Sequence, residues 1–173
     1  MNVTIDIKQL KDLSKKLEKA GPKTVKMAQL ELRASAFTVE GIAKDLSPVD
    51  RGGLKQSIAS EAITKNDYKI GSNKDYAAYV EFGTGVLVDV PGEWSQFAAQ
   101  FQGSTGEGWD NGLEEIRQWC IRKGIPEGAA YPIFMSILES GIMPQPFLYP
   151  AYKEGRKELI YNITQIIKDF NLE

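Results

Sequence analysis

The sequence predicts an α+β fold, in which a small antiparallel β-sheet packs with a long N-terminal helix and a C-terminal helix. Helical periodicity marks both ends of the chain, short segments with strand character lie between them, and a glycine- and tryptophan-rich stretch interrupts the second half. The chain has 173 residues, which corresponds to one domain at roughly 150 residues per domain. We therefore expect a single domain over residues 1–173, with an inserted helical hairpin at about 85–145.

Two helices are expected ahead of the first strand. The first is short and amphipathic and ends at Gly21-Pro22, and its apolar residues are Ile7, Leu10, Leu13 and Leu17. The second runs from about Lys23 to Asp45, and the apolar residues of one face are Val25, Leu32, Ala36, Val39, Ala43 and Leu46. Ser47-Pro48 ends it, because the residue before a proline is pushed out of the helical conformation.

Strand character follows the long helix. Residues 57–64 and 68–71 favour two strands of a hairpin, which Asn66-Asp67 joins through a turn. Residues 75–83 are rich in aromatic and branched side chains and run into a Gly-Thr-Gly sequence. We predict strand character there as well.

The expected insertion at about 85–145 contains nine of the sixteen glycines and all three tryptophans. Within it, a helix is predicted over residues 112–123, with Asn111 as its cap and Gly124 just past its end. A second helix is expected to begin near Pro132, since proline suits the first helical position. The two helices would pack together as a hairpin.

The C-terminal helix is predicted over residues 152–170. Its inward face carries Leu159, Ile163, Ile166, Ile167 and Phe170. Ahead of it, Pro146 and Pro150 are expected to stiffen an extended segment that presents Phe147 and Leu148 to the core or to a neighbouring molecule.

The composition excludes the commonest catalytic machinery. The chain has no histidine and a single cysteine, Cys120. Ser–His–Asp and Cys–His catalysis, an internal disulfide and a four-cysteine metal site are therefore ruled out. The sequence shows neither a signal peptide nor a run of ~18 apolar residues. We expect synthesis in a reducing cytosol, no membrane contact, no enzymatic activity, and no catalytic, cofactor-binding or metal-binding residues.

Several features that resemble chemical sites have simpler interpretations. Cys120 is expected to be a small buried apolar residue. Glu114 and Glu115 lie in a first helical turn, where carboxylates suit the helix dipole better than a metal site. The glycine-rich residues 103–108 lack the Lys-Ser/Thr of a phosphate-binding loop. Glu81 lies in an apolar segment, so we expect it to be buried with an ion pair or backbone N–H groups as its partner.

Charge is divided unevenly along a chain whose net charge is −2. Residues 1–33 carry eight basic and four acidic residues, and residues 85–145 carry three basic and eight acidic residues. This division is compatible with contacts between copies of the chain, with binding of a polyanion, or with a solvated helix face.

Three separated motifs point to one family. Ser47–Ile58 resembles Pro-Val-Asp-Thr-Gly-x-Leu-x-x-Ser-Ile and carries Pro48, Asp50, Gly52, Leu54 and Ser57. Asp75–Gly85 resembles Tyr-Ala-x-Tyr-Val-Glu-Phe-Gly-Thr and carries Tyr76, Ala77, Glu81, Phe82, Gly83 and Thr84. Gln145–Ala151 resembles Gln-Pro-Phe-Leu-x-Pro-Ala and carries Pro146, Phe147, Leu148, Pro150 and Ala151. In this order, behind a long helix, they resemble the tail-component family of tailed bacteriophages, which are small tail-completion or head–tail joining proteins.

The motifs also have a structural interpretation. Pro48 would end the long helix, and Gly52 and Gly53 would permit positive φ before the strand. Three positions, Arg51, Gly53 and Tyr149, depart from the residues usual in the family. Motifs of this kind define turns and packing, so they are expected to serve assembly rather than catalysis.

The resemblance implies a virion protein that forms a closed ring, with six copies expected, around the DNA channel of the neck. The implied partners are further copies of the chain, a connector or stopper protein, a tail terminator or tail tube protein, and DNA that passes without sequence-specific contact. Assembly would take place in the host cytoplasm. A tail terminator that caps the tail tube is the alternative within the family. A nucleic-acid-binding module that uses the basic N-terminal helix is the alternative of another class.

Candidate interface residues are Trp94, Trp109 and Tyr79, because aromatic side chains are favoured anchors in protein interfaces. The two tryptophans lie in the glycine-rich insertion, which is a candidate docking arm.

Overall fold

The computed structural model describes residues 2–6, 19, 21–88, 92–101 and 110–171, and for residues 2–6 it describes the backbone alone. The chain divides into two compact units. Unit 1 comprises residues 1–75 and 147–173, and unit 2 comprises residues 76–146. The expected α+β class is confirmed. The single domain with an insertion stays a prediction.

The helices and strands follow one another in the order β1 (Asn2–Asp6), α1 (Pro22–Leu46), α2 (Gly53–Ser57), β2 (Ile58–Ala62), β3 (Asp67–Ser72), α3 (Ala77–Phe82), α4 (Ser95–Ala98), α5 (Gly112–Lys123), α6 (Ala130–Ser140) and α7 (Leu148–Asn171). Short 3-10 segments occupy Gly92–Trp94, Ala99–Phe101 and Glu127–Ala129. The predicted helix at Ile7, Leu10, Leu13 and Leu17 lies outside the described residues.

The sheet of unit 1 has three antiparallel strands in the order β1-β3-β2. The predicted hairpin of β2 and β3 is confirmed, with Ile58 opposite Ser72 and Ala62 opposite Tyr68. Strand β1 was not predicted, and it pairs along the other edge of β3. In the turn of the hairpin, Thr64 Oγ1 donates a hydrogen bond to Asp67 Oδ2 at 2.7 Å.

The long helices α1 and α7 pack against each other at the centre of unit 1. The core includes Leu32 and Val39 of α1, Leu159 and Ile163 of α7, and Ile70 of the sheet, each at most 1% exposed. With Ala36 and Ala43 on α1 and Ile167 on α7, which are also buried, the positions recur every three or four residues on each helix, as the apolar periodicity predicted. Leu46 was expected on the same face of α1 but is 47% exposed, because it is the last residue of the helix.

Gly155 lets the two helices approach closely. A Cβ atom built at this position would overlap Val39 Cγ2, and Ser35 Oγ donates a hydrogen bond to the Gly155 carbonyl at 3.3 Å. Val39 has little rotamer freedom in a helix because it is β-branched. The close contact between α1 and α7 therefore requires a residue without a Cβ atom at position 155.

Glu40 joins α1 to the edge strand β2. Its carboxylate accepts hydrogen bonds from Ser60 N at 2.7 Å, from Ser60 Oγ at 2.6 Å and from Lys44 Nζ at 2.5 Å. Burial by itself raises the pKa of Glu40, but the hydrogen bonds from Lys44 and Ser60 outweigh burial and hold the pKa below its usual value. The ionised carboxylate is thus the form that fastens the sheet to the helix.

Unit 2 contains the helical pair α5 and α6, which pack together as the predicted hairpin. Helix α5 spans Gly112–Lys123 as predicted, and Gly124 ends it in the left-handed conformation with φ of 67°. Asn111 precedes the helix, but its side chain makes no capping hydrogen bond. Cys120 is fully buried, as expected.

The prediction of strand character over residues 75–83 is wrong, because Ala77–Phe82 form helix α3. The buried residues Ala77, Glu81 and Phe82 are spaced as on one helix face, whereas Tyr79 is 40% exposed. The aromatic and branched residues that suggested a strand favour any half-buried surface, so their strand preference is overridden by packing.

Three boundaries also differ from the sequence-based predictions. Gly53 does not take a positive φ but begins the short helix α2, and only Gly52 is left-handed, with φ of 76°. Helix α7 begins at Leu148 and contains Pro150, and α6 begins at Ala130 and contains Pro132. Both prolines lie in the first turn of a helix, where no N–H group is required for an intrahelical bond.

A pair of glycine variants tests the helix contact. Gly155→Ala is expected to lower the free energy of unfolding by about 1–3 kcal/mol, because the added methyl group overpacks against Val39. Gly41→Ala in α1 is the matched control: nothing lies within 4 Å of its Cβ position, so it should raise stability by about 0.5–1 kcal/mol. Urea denaturation followed by circular dichroism measures both. Equal effects of the two variants would contradict the close contact.

The second test concerns Glu40 and pH. Because its pKa is lower in the folded state, its contribution to stability is present above the unfolded pKa and is lost as pH falls through the folded pKa. Glu40→Gln should lower the free energy of unfolding by about 1–3 kcal/mol at pH 7, and the difference from wild type should shrink below about pH 4. Glu158→Gln, an exposed position on α7, is the control. A difference that persists unchanged at pH 3 in urea denaturation would refute the assignment.

Candidate functional site

The first motif forms the turn between α1 and the sheet. Pro48 follows the end of α1, where Ser47 Oγ donates a hydrogen bond to the Lys44 carbonyl at 2.8 Å. Gly52 supplies the left-handed turn, and Leu54 of α2 is 4% exposed. Asp50 is exposed. This motif therefore positions the start of β2.

Ser57 closes the first motif onto the sheet. Its hydroxyl donates to the Leu54 carbonyl at 2.7 Å and shares a second hydrogen bond of 2.7 Å with the hydroxyl of Ser72 on β3. The first motif thus ends helix α1, turns the chain at Gly52 and ties α2 to the sheet through the Ser57 hydroxyl, and each of these roles is structural.

The third motif begins α7. Phe147, Leu148 and Ala151 are each 0% exposed, whereas Pro146 is exposed and Pro150 is half-buried. The alternative that Phe147 and Leu148 face a neighbouring molecule is thereby corrected, since both side chains lie in the core of this chain. Their apolar side chains anchor the first turn of α7.

The second motif lies in unit 2 from Tyr76 onward and contributes to an aromatic cluster. Phe82 is 1% exposed, and its ring stacks on Phe101 at a centroid distance of 5.8 Å and meets Trp94 edge-on at 6.1 Å. Tyr79 packs edge-on against Phe101 at 5.1 Å. Aromatic pairs in these geometries contribute beyond the area that they bury.

Glu81 is buried as expected, at 1% exposure. Among the described side chains, every buried nitrogen and oxygen atom has a hydrogen-bond partner, and Glu81 has a polar or electrostatic interaction. The carboxylate is therefore satisfied within the fold, which agrees with the structural interpretation of this residue.

The end of the second motif is fastened by a feature that we call the clasp, formed by residues 83–86 against residues 140–145. Thr84 N donates to the Ile142 carbonyl at 3.0 Å, and Ile142 N donates to Thr84 Oγ1 at 2.8 Å. Val86 N donates to the Ser140 carbonyl at 3.2 Å. The clasp thus holds together the two ends of residues 86–140.

Three glycines allow the two backbone segments of the clasp to approach this closely. Gly83, Gly85 and Gly141 all have positive φ, and a Cβ atom at Gly141 would overlap the Thr84 carbonyl. A Cβ at Gly83 would lie 2.6 Å from the Ile142 carbonyl oxygen, and one at Gly85 would lie 2.7 Å from that of Ser140. The Gly-Thr-Gly sequence is therefore required by backbone packing as well as by conformation.

The predicted interface residues differ in how far they are exposed. Tyr79 is 40% exposed, and its role in an interface stays a prediction. Trp94 is only 7% exposed and packs on Phe82. Its predicted docking role is corrected, because its indole belongs to the aromatic cluster of unit 2. Trp109 lies outside the described residues.

Two exposed apolar surfaces were missed. On α1, Met27, Leu30 and Phe37 are 42%, 54% and 52% exposed. They lie on the face opposite the buried residues, at spacings of three and seven that a second helical face would show in the sequence. In unit 2, Val86 and Met143 of the clasp are 80% and 68% exposed. That second surface combines residues far apart in sequence, so no local pattern could reveal it.

The exposed face of α1 borders a groove of about 800 Å³ in unit 1. Its lining residues are Gly21, Pro22, Val25, Lys26, Gln29, Leu30, Arg33, Lys65 and Tyr68. Gln29 Nε2 donates to Asn66 Oδ1 at 2.9 Å and so fixes the β2–β3 turn beside the helix. The groove combines apolar walls with three cationic side chains.

No group of three or more cysteine and carboxylate side chains within the described ranges is arranged to hold a metal ion. Nor does any helix of the described part combine the length and apolar character that crossing a membrane requires.

A family model described as "Bacteriophage HK97-gp10, putative tail-component" matches residues 11–83. The matched stretch is less than half of the chain and contains the first motif and the second motif up to Gly83. Over this stretch the match confirms the resemblance to a tail-component family of tailed bacteriophages. No curated protein and no solved structure matches the chain.

Variants of three glycines test the clasp. Gly124→Ala reports the cost of a left-handed backbone alone, about 1–2 kcal/mol, because nothing lies within 4 Å of its Cβ position. Gly141→Ala should cost more than this, since its methyl group would also overlap the Thr84 carbonyl. Gly128→Ala, with open space and no positive φ, is expected to be nearly neutral. Thermal unfolding by calorimetry ranks the three, and a Gly141→Ala cost no larger than that of Gly124→Ala would contradict the clasp.

Proposed function

We propose that the chain is a structural component of a tailed-phage virion, which assembles into a closed ring at the neck as a tail-completion or head–tail joining protein. The observation that carries the proposal is the match of residues 11–83 to a tail-component family. The family supports a structural role in the phage tail, and the ring, the neck position and the passage of DNA go beyond it.

The motif residues support a structural rather than an enzymatic role. Three of them serve the fold itself through hydrogen bonds or burial: Ser57 links α2 to the sheet, Phe82 fills the aromatic cluster, and Thr84 holds the clasp. Catalytic groups need access to a substrate and a neighbouring base or nucleophile. Buried residues that hold turns and cores suit a building block, so we propose that the protein is not an enzyme.

The charge division supports assembly from copies of one chain. Unit 1 carries 18 basic and 14 acidic residues, whereas unit 2 carries three basic and nine acidic residues. Opposite net charges on two units of one chain favour head-to-tail contacts between copies, which close into a ring when the rotation between copies allows it. The proposed partners beyond the ring are a connector or stopper protein on one side and a tail terminator or tail tube protein on the other.

A nucleic-acid-binding function is a second candidate, because Lys26, Arg33 and Lys65 line the same groove. Basic side chains on one surface can hold a phosphate backbone, and such binding weakens steeply with salt. The apolar lining of the groove and the net charge of −2 favour the structural role. A tail terminator remains the alternative within the family.

Deletion of the gene from the parent phage tests the proposed role. We expect negative-stain images to show heads and tails that are complete but not joined, and joining should return when the wild-type chain is supplied in trans. The Gly128→Ala chain should restore joining equally well, which controls for expression of a supplied copy. Tails of abnormal length would identify a terminator instead. Normal joined virions without the protein would refute a neck function.

A further inference from the structure

We propose that the basic groove of unit 1 is a docking site for unit 2 of a second copy of this chain. The groove would receive a patch formed by Val86, Glu139, Ile142 and Met143, which we call the clasp patch. This inference rests on the proposed ring, and it names the two surfaces through which neighbouring copies would meet.

The groove presents apolar and cationic groups side by side. Leu30 is 54% exposed between Lys26 and Arg33, which are also exposed. One turn further along α1, Phe37 is 52% exposed, and the Arg33 guanidinium lies 5.8 Å from the centre of its ring. A helix whose outer face carries several large apolar side chains is typical of a surface that binds another protein. The cations would select an acidic partner.

The clasp patch offers the complementary chemistry. Val86, Met143 and Ile142 are 80%, 68% and 37% exposed, and Glu139, which directly precedes Ser140, is also exposed. The hydrogen bond from Val86 N to the Ser140 carbonyl holds the two segments of the patch together. Because the clasp fixes its backbone, the patch is preorganised, which reduces the entropy lost on binding.

Each surface presents exposed side chains. Groove and clasp patch are different surfaces, and a contact between them is therefore head-to-tail, which is the kind of contact that builds rings. The charges agree, since the groove belongs to the unit with net charge +4 and the patch to the unit with net charge −6. A nucleic acid would match the cations but would leave the apolar walls unsatisfied.

A charge-exchange experiment tests this contact. In variant A, Lys26→Glu and Arg33→Glu reverse the groove, and in variant B, Glu139→Lys and Met143→Lys make the clasp patch basic. All four side chains are exposed, so both variants should fold. The matched control, Lys153→Glu with Lys157→Glu, reverses two exposed lysines of α7.

Light scattering after size exclusion gives the mass of each assembly. Wild type and control should form the same multiple of the 19.2 kDa chain. Variants A and B should each lose assembly and elute at the mass of one chain. An equal mixture of A and B should recover the wild-type mass. The acidic groove of A would meet the basic patch of B, and the basic groove of B would meet the acidic patch of A. Only a direct contact between the two surfaces predicts this recovery.

Other results would overturn the proposal in different ways. If wild type has the mass of one chain at every concentration, the proposed ring falls together with this contact. If wild type assembles and variant A assembles equally well, the groove is not an interface, and a loss of thermal stability in A would then point to cover by the chain's own N-terminal segment. If A and B fail to assemble when mixed, their surfaces do not meet. If A keeps its mass but loses binding to a 20-base-pair duplex in fluorescence anisotropy, nucleic acid is the occupant.

Discussion

The close packing of α1 on α7 is the constraint on which unit 1 depends. Gly155 lacks a side chain where Val39 approaches, and this absence sets the distance between the two long helices. The same contact decides which face of α1 is buried. Because Leu32 and Val39 face α7 and the sheet, the opposite face, with Leu30 and Arg33, points away from the core. The contact between α1 and α7 thus determines which side chains of α1 are exposed to solvent.

Unit 2 depends in a similar way on backbone contacts at the clasp. Gly83, Gly85 and Gly141 allow carbonyl groups to approach positions where any Cβ atom would collide. The clasp brings Val86 next to Ser140, and so it creates an apolar surface from residues more than fifty positions apart in the chain. The entropy cost of bringing the ends of a long segment together grows only slowly with its length, and the clasp provides this closure for residues 86–140.

Much of the fold could be predicted from local patterns. The bounds of α1 and α5 and the β2–β3 hairpin follow from periodicity, proline and glycine signals that act within a few residues. The strand β1 was missed because its pairing with β3 is a contact over more than sixty positions. Helix α3 was mistaken for a strand because Tyr79, Val80 and Phe82 favour half-buried surfaces of either kind. At the candidate site, the family motifs were found from the sequence, but the clasp patch was not, since it exists only once distant segments meet.

The proposed groove and clasp patch combine exposed apolar side chains with charges of opposite sign, as the proposed assembly role requires. The central claim is that copies of this chain form a ring in the virion neck. A reconstruction of the neck at residue resolution tests this claim most directly. The account predicts a closed ring of this chain around the DNA channel, with the groove of each copy against the clasp patch of the next. A neck without this chain, or one that holds it outside a closed ring, would contradict the account.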